Sequence, residues 1–116
     1  MIADGCRIGN NVTIENSVIG LRTVIGDNAV IKDSIVMGAD YIEDKNRLLP
    51  NQTPVGVGDN SVISRAILDK NCRVGKGVKI INAKNVEKQG EDEDLQIRDG
   101  ISIVIKNGEI KDGFEC

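Results

Sequence analysis

Residues 56–82 read GVGDNSVISRAILDKNCRVGKGVKIIN, and their spacing decides the fold. Large aliphatics stand at Val57, Ile63, Leu68, Val74 and Ile80, separated by steps of 6, 5, 6 and 6 residues. The same steps occur earlier, at Ile8, Ile14, Ile19, Ile25 and Ile31, each 49 residues before its counterpart. Even the irregular step of 5 is reproduced, and Gly9 and Gly26 match Gly58 and Gly75. Met37 extends the first series by a further step of 6. Val104, Ile110 and Cys116 form a weaker third series with steps of 6 and 6.

A six-residue period drifts out of phase with a helical turn of about 3.6 residues. It suits a short strand followed by a corner. One inward aliphatic per unit, a small residue near the corner, and Gly or Asn where φ is positive describe a parallel β-helix. The expected fold is therefore all-β, a hexapeptide-repeat solenoid. Three units make a triangular coil of about 18 residues, and coils stack about 4.8 Å apart. Asn10, Asn11, Asp27, Asn28, Asp59, Asn60 and Asn71 fall in the corner phase, as turn chemistry predicts. The competing reading, an antiparallel sandwich, finds strict alternation only in Ile101-Ser102-Ile103.

Two segments interrupt the period. Residues 38–55 are polar and hold both prolines, Pro50 and Pro54. Residues 83–96 carry the acidic run Glu91-Asp92-Glu93-Asp94. The expected organisation is one domain over 1–116: coils in 6–37, a loop in 38–55, coils in 56–82, an acidic loop in 83–96 and a terminal coil in 97–116. The acidic run reads as a solvated loop, because it lacks the spacing of an EF-hand.

Composition narrows the function. The 116 residues suit a single domain. With 15 Lys+Arg against 18 Asp+Glu, there is no electrostatic footprint for nucleic acid or an anionic membrane. No apolar run reaches the roughly 18 residues of a transmembrane helix. The N-terminus lacks the basic and apolar regions of a signal peptide, so secretion is not expected. The sequons Asn11-Val12-Thr13 and Asn51-Gln52-Thr53 then read as coincidental. Three cysteines at long spacings, Cys6, Cys72 and Cys116, argue against both a disulfide framework and a zinc site. The only aromatics are Tyr41 and Phe114, which fits ladders of β-branched residues better than an ordinary globular core.

The chain has no histidine. This excludes the histidine base of hexapeptide acyltransferases and the three-histidine zinc site of carbonic anhydrases with this architecture. Cys6 and Cys72 stand two residues before an inward aliphatic, the phase of Thr23, and read as core filler, as does the inward-phase Cys116. Gly75-Lys76-Gly77 lacks the spacing and hydroxyl of a Walker A loop. Lys70 and Lys106 each follow an inward aliphatic, Leu68 and Val104, by two residues. Both thus point outward near a corner. On nearby coils they would converge on one anion, for which an ammonium is a suitable point charge. Phase alone favours two solvated surface lysines.

The segments VMGADY, PVGVGDNSVISRAILDKNCRVGKGVKIIN and IRDGISIVIKNGEIKDG, taken in order, closely resemble the C-terminal region of glucose-1-phosphate adenylyltransferases of the plant, algal and cyanobacterial type. The resemblance spans roughly residues 12–116. It implies a left-handed β-helix serving subunit assembly and allosteric control. The family makes ADP-glucose and pyrophosphate from ATP, with Mg2+, and glucose 1-phosphate. Its chemistry resides in an N-terminal nucleotidyltransferase domain with no counterpart here, so this chain is expected to need no cofactor and not to catalyse the reaction alone. The resemblance implies effector binding, of 3-phosphoglycerate or phosphate, at Lys70 and Lys106, with Asp69 beside the first. It further implies a homo- or hetero-oligomer, in plastids for a plant or alga and in the cytoplasm otherwise. Two departures stand out. The loop before Ile97 is about one residue short, and Asp99 replaces the family's serine, from which like-charge repulsion of phosphate is expected.

Overall fold

The computed structural model describes residues 1–41, 43, 48–50, 52–90 and 93–116. Three parallel sheets form the sides of a solenoid. The first contains β1 (Arg7–Ile8), β4 (Val24–Ile25), β7 (Gly56–Val57), β10 (Arg73–Val74) and β15 (Glu109–Ile110), in that order. The second contains β2 (Thr13–Glu15), β5 (Val30–Lys32), β8 (Val62–Ser64) and β11 (Lys79–Ile80). The third runs from β3 (Val18–Ile19) through β6 (Ile35–Val36) and β9 (Ala66–Leu68) to β14 (Ile101–Val104). The chain visits the three sheets in turn, which is the winding of a parallel β-helix.

The inward aliphatics stack in register. Ile14 pairs with Ile31, Ile31 with Ile63 and Ile63 with Ile80. Ile19, Val36, Leu68 and Val104 do the same on the third side. Ile19, Ile25, Ile31, Ile63, Leu68, Val74, Ile80 and Val104 are at most 1% exposed. Each such side chain contributes about 1.5–3 kcal/mol through its removal from water.

The register corrects the coil length. Ile8 pairs with Ile25, so a coil has 17 residues rather than about 18. The step of 5 recurs at one corner, between the second and third sheets: Ile14 to Ile19, Ile31 to Val36 and Ile63 to Leu68. Met37 is therefore not inward. It is 46% exposed, and Val36, at 5%, takes its place. A run of adjacent aliphatics, Ile35-Val36-Met37, concealed the shorter step.

The corners are marked by left-handed residues, mostly Asn. Asn11, Asn28 and Asn60 have φ of 58°, 61° and 60° at one corner, and Asn71 and Asn107 have 61° and 63° at another. The glycines after the inward positions serve a different need. Gly26 does not have positive φ; a Cβ there would lie 2.6 Å from the backbone nitrogen of Asp59 on the next coil. That carboxylate in turn accepts a 2.8 Å hydrogen bond from the N–H of Asp27, and Asp27 does the same for Asn10. Glycine admits the neighbouring corner, and aspartate staples it.

The second excursion is more ordered than a loop. β12 (Lys88–Gln89), β13 (Leu95–Arg98) and β14 pair antiparallel and extend the third sheet. Leu95 and Ile97 are buried and join the core cluster. Asp99-Gly100, with φ of 51° and 78°, makes the tight turn between β13 and β14. Glu93 and Asp94 are exposed just before β13, so acidic composition hid a strand start; Glu91 and Asp92 lie outside the described residues. The hairpin covers one end of the solenoid. At the other end the inward Ile8 remains 39% exposed.

The first excursion is pinned to the first sheet. Glu43 and Arg73 form a 2.6 Å ion pair with both side chains 16% exposed. The Arg73 guanidinium also donates to the Thr53 carbonyl at 2.9 Å, and Glu109 accepts from the Thr53 N–H at 2.9 Å. Among the described residues, no helix is long and apolar enough to cross a membrane.

The corrected register has a direct check. Val36→Ala is expected to cost about 2 kcal/mol, as a large-to-small core change does, whereas Met37→Ala stays within about 0.5 kcal/mol of wild type. Urea denaturation of the two variants measures this. Equal losses would return Met37 to the core.

Candidate functional site

The corner after β9 consists of Asp69, Lys70, Asn71 and Cys72. The corner after β14, Ile105 to Gly108, lies directly on it. The Asp69 N–H donates to the Val104 carbonyl at 3.0 Å, the Asn107 N–H to the Lys70 carbonyl at 2.9 Å, and the Arg73 N–H to the Gly108 carbonyl at 2.8 Å. Lys70 and Lys106 thus occupy equivalent places on adjacent coils, and both are exposed. The structure brings together the two lysines that the sequence placed in one phase.

On the other side of the Lys70 corner the first excursion begins. The Asn71 N–H donates to the Gly38 carbonyl at 3.0 Å. The Asn71 side chain, 5% exposed, clamps Asp40 twice: its carbonyl oxygen accepts the Asp40 N–H at 2.9 Å, and its amide donates to Asp40 Oδ2 at 3.2 Å. Asp40 Oδ1 then lies 3.3 Å from Lys70 Nζ, with both side chains 47% exposed. The Asn71 hydrogen bond first, then Lys70, and further the charge of Lys106 hold the Asp40 carboxyl below the usual carboxylate range. Asp40 is a member of the site that sequence reading did not assign a role. The signal was available in the 32-residue offset that pairs Val36 with Leu68 and so sets Ala39 beside Asn71. The excursion that starts there breaks the count.

Asp69 faces the turn. Its Oδ1 accepts the N–H of Lys70 at 2.7 Å. Asp99 sits at the opposite end of β14 from Lys106. Four strand residues, about 13 Å, separate the two corners, more than a Debye length of about 8 Å at physiological salt. Salt therefore largely screens any repulsion between Asp99 and an anion at the lysine pair. No group of three or more His, Cys, Asp or Glu among the described residues is placed to hold a metal.

Three parallel sheets wound in turn, with one inward aliphatic stacked in register on each side, define a hexapeptide-type β-helix domain, and Lys70 and Lys106 stand on adjacent outward corners of it. A family model described as the GLGC left-handed parallel beta-helix domain matches residues 1–114. The chain belongs to that family, the C-terminal left-handed β-helix domain of glucose-1-phosphate adenylyltransferase.

The cysteines are structural. Cys72 is buried, and its thiol donates to the Asp69 carbonyl at 2.8 Å. Thr23 occupies the same place two coils earlier, after β3, and donates to the Gly20 carbonyl at 2.8 Å. Cys6 and Cys116 are half-buried and pack against the core. Burial first, then the Asp69 charge, pushes the Cys72 thiol up to about 12. An unfolded cysteine ionises near about 8.5, so above that pH the unfolded chain holds fewer protons than the folded one and stability falls as pH rises. Between about pH 9 and about pH 11 the wild type is expected to lose more melting temperature than Cys72→Thr, which has no thiol to ionise. Parallel pH profiles by differential scanning calorimetry would refute the burial effect.

Proposed function

We propose that this domain is a regulatory and assembly module that binds phosphorylated effectors, 3-phosphoglycerate or inorganic phosphate, through Lys70 and Lys106. The observation that carries the reading is the 2.9 Å backbone hydrogen bond from Asn107 to Lys70, which locks the two lysine corners together. Two ammonium groups on stacked corners suit a phosphoryl group, whose several oxygens accept from both. Asp69 shapes the turn that presents Lys70; as a carboxylate it offers an anion no attraction of its own.

A second reading, a purely structural β-helix without effector binding, draws on the Lys70–Asp40 pair, since one of the two charges already has a partner. Isothermal titration with 3-phosphoglycerate and with phosphate separates the readings. Wild type is expected to release heat, and Lys70→Ala and Lys106→Ala each to weaken binding by about tenfold, the loss of one charge-assisted hydrogen bond. No heat in all three would leave the structural reading standing.

Assembly is the other half of the proposal. The end at which Ile8 is 39% exposed and Ile14 is only partly buried offers unpaired strand edges and apolar side chains. Such an end is a template for another chain. Light scattering is expected to show self-association that rises with concentration and is abolished by Ile14→Lys. A strictly monomeric wild type at high concentration would oppose it.

A further inference from the structure

The lysine pair is not presented bare. Three described carboxylates border the two corners. That of Asp69 is engaged by the Lys70 N–H, and that of Asp94 by the Glu109 N–H at 3.0 Å. Only Asp40 turns an oxygen to a lysine ammonium, Lys70 Nζ at 3.3 Å. Asn71, buried and left-handed at φ 61°, fixes both the backbone and the carboxylate of Asp40.

We propose that Asp40 is a resident counter-anion of the Lys70–Lys106 site, held where an incoming phosphoryl group must bind, so that the ligand acts by displacing it. The inference rests on the effector-binding reading above. Its physical content is an exchange. A monoanionic carboxylate ligand replaces one carboxylate by another and gains little. A dianionic phosphoryl group brings a second charge and enough oxygens to reach both ammonium groups, so it gains from the exchange. Asp40 thereby lowers the affinity for all anions and raises the preference for doubly charged ones. Half-exposed, it can leave without breaking the core, and its N–H can stay on Asn71 when its carboxylate swings out.

The test uses titration calorimetry of the full chain with inorganic phosphate and with acetate at fixed ionic strength. Asp40→Asn removes the charge and keeps an oxygen for Asn71; Asp40→Glu keeps the charge and serves as the control for folding and for side-chain change. Phosphate is expected to bind Asp40→Asn about two- to fivefold more tightly than wild type, the scale of an exposed ion pair. Acetate is expected to compete with phosphate only in Asp40→Asn, and Asp40→Glu to behave as wild type. Combining Lys70→Ala with Asp40→Asn should erase the gain. If wild type binds phosphate and Asp40→Asn binds it equally or more weakly, the counter-anion is overturned while the lysine site stands. If neither wild type nor any variant binds phosphate, the effector reading falls, and the counter-anion with it.

Discussion

The register of the parallel ladders governs the rest of this molecule. Each strand pairs with strands one coil away, so the chain must return to the same place on the perimeter after 17 residues, as Ile8 and Ile25 do. Side chains alternate between faces along a strand, and a slip of one residue would turn an entire aliphatic ladder outward. Extra chain can therefore be inserted only where the register is not being counted, at the corners. Both excursions obey this. The first leaves between β6 and β7, the second between β11 and β14. The Lys70 and Lys106 corners stack in line with the corner from which the first excursion departs. Asp40, which pairs with Lys70, is among the first residues beyond the counted perimeter.

Much of the fold was legible in the sequence because one inward position per side is enough to define the winding. The repeated step of 5 was visible and real. Its third occurrence, at Val36, was not, because Met37 offers an equally apolar alternative and hydrophobicity alone cannot rank neighbours. Glycine was legible as a corner residue but for the wrong reason. At Gly26 and its equivalents the requirement is proximity to the next coil, whereas asparagine supplies most of the left-handed conformations. The hairpin of β12 and β13 escaped notice because Leu95 and Ile97 are too few to outweigh the acidic residues before them.

The site was partly legible for a related reason. Lys70 and Lys106 stay in phase with the solenoid, so their common face followed from counting. Asp40 meets its clamp Asn71 just where the first excursion leaves the count, so the offset that sets Ala39 beside Asn71 points to the neighbourhood but stops one residue short of the pair. Charge pairs that form across such breaks, Lys70 with Asp40 and Arg73 with Glu43, belong to three-dimensional closure rather than to sequence pattern.

The stacking of the two lysine corners also fixes a dimension. Their backbones are joined by ladder hydrogen bonds, so the stems of Lys70 and Lys106 start one inter-strand spacing apart, about 4.8 Å. This is a property of every β-helix coil and owes nothing to the identity of the residues at the corner. The solenoid acts as a ruler whose divisions cannot be stretched. Substitution can alter what is written at each division, a lysine, an asparagine or an acid, but not the interval. Any ligand that bridges two divisions is measured against a length that the backbone alone has set.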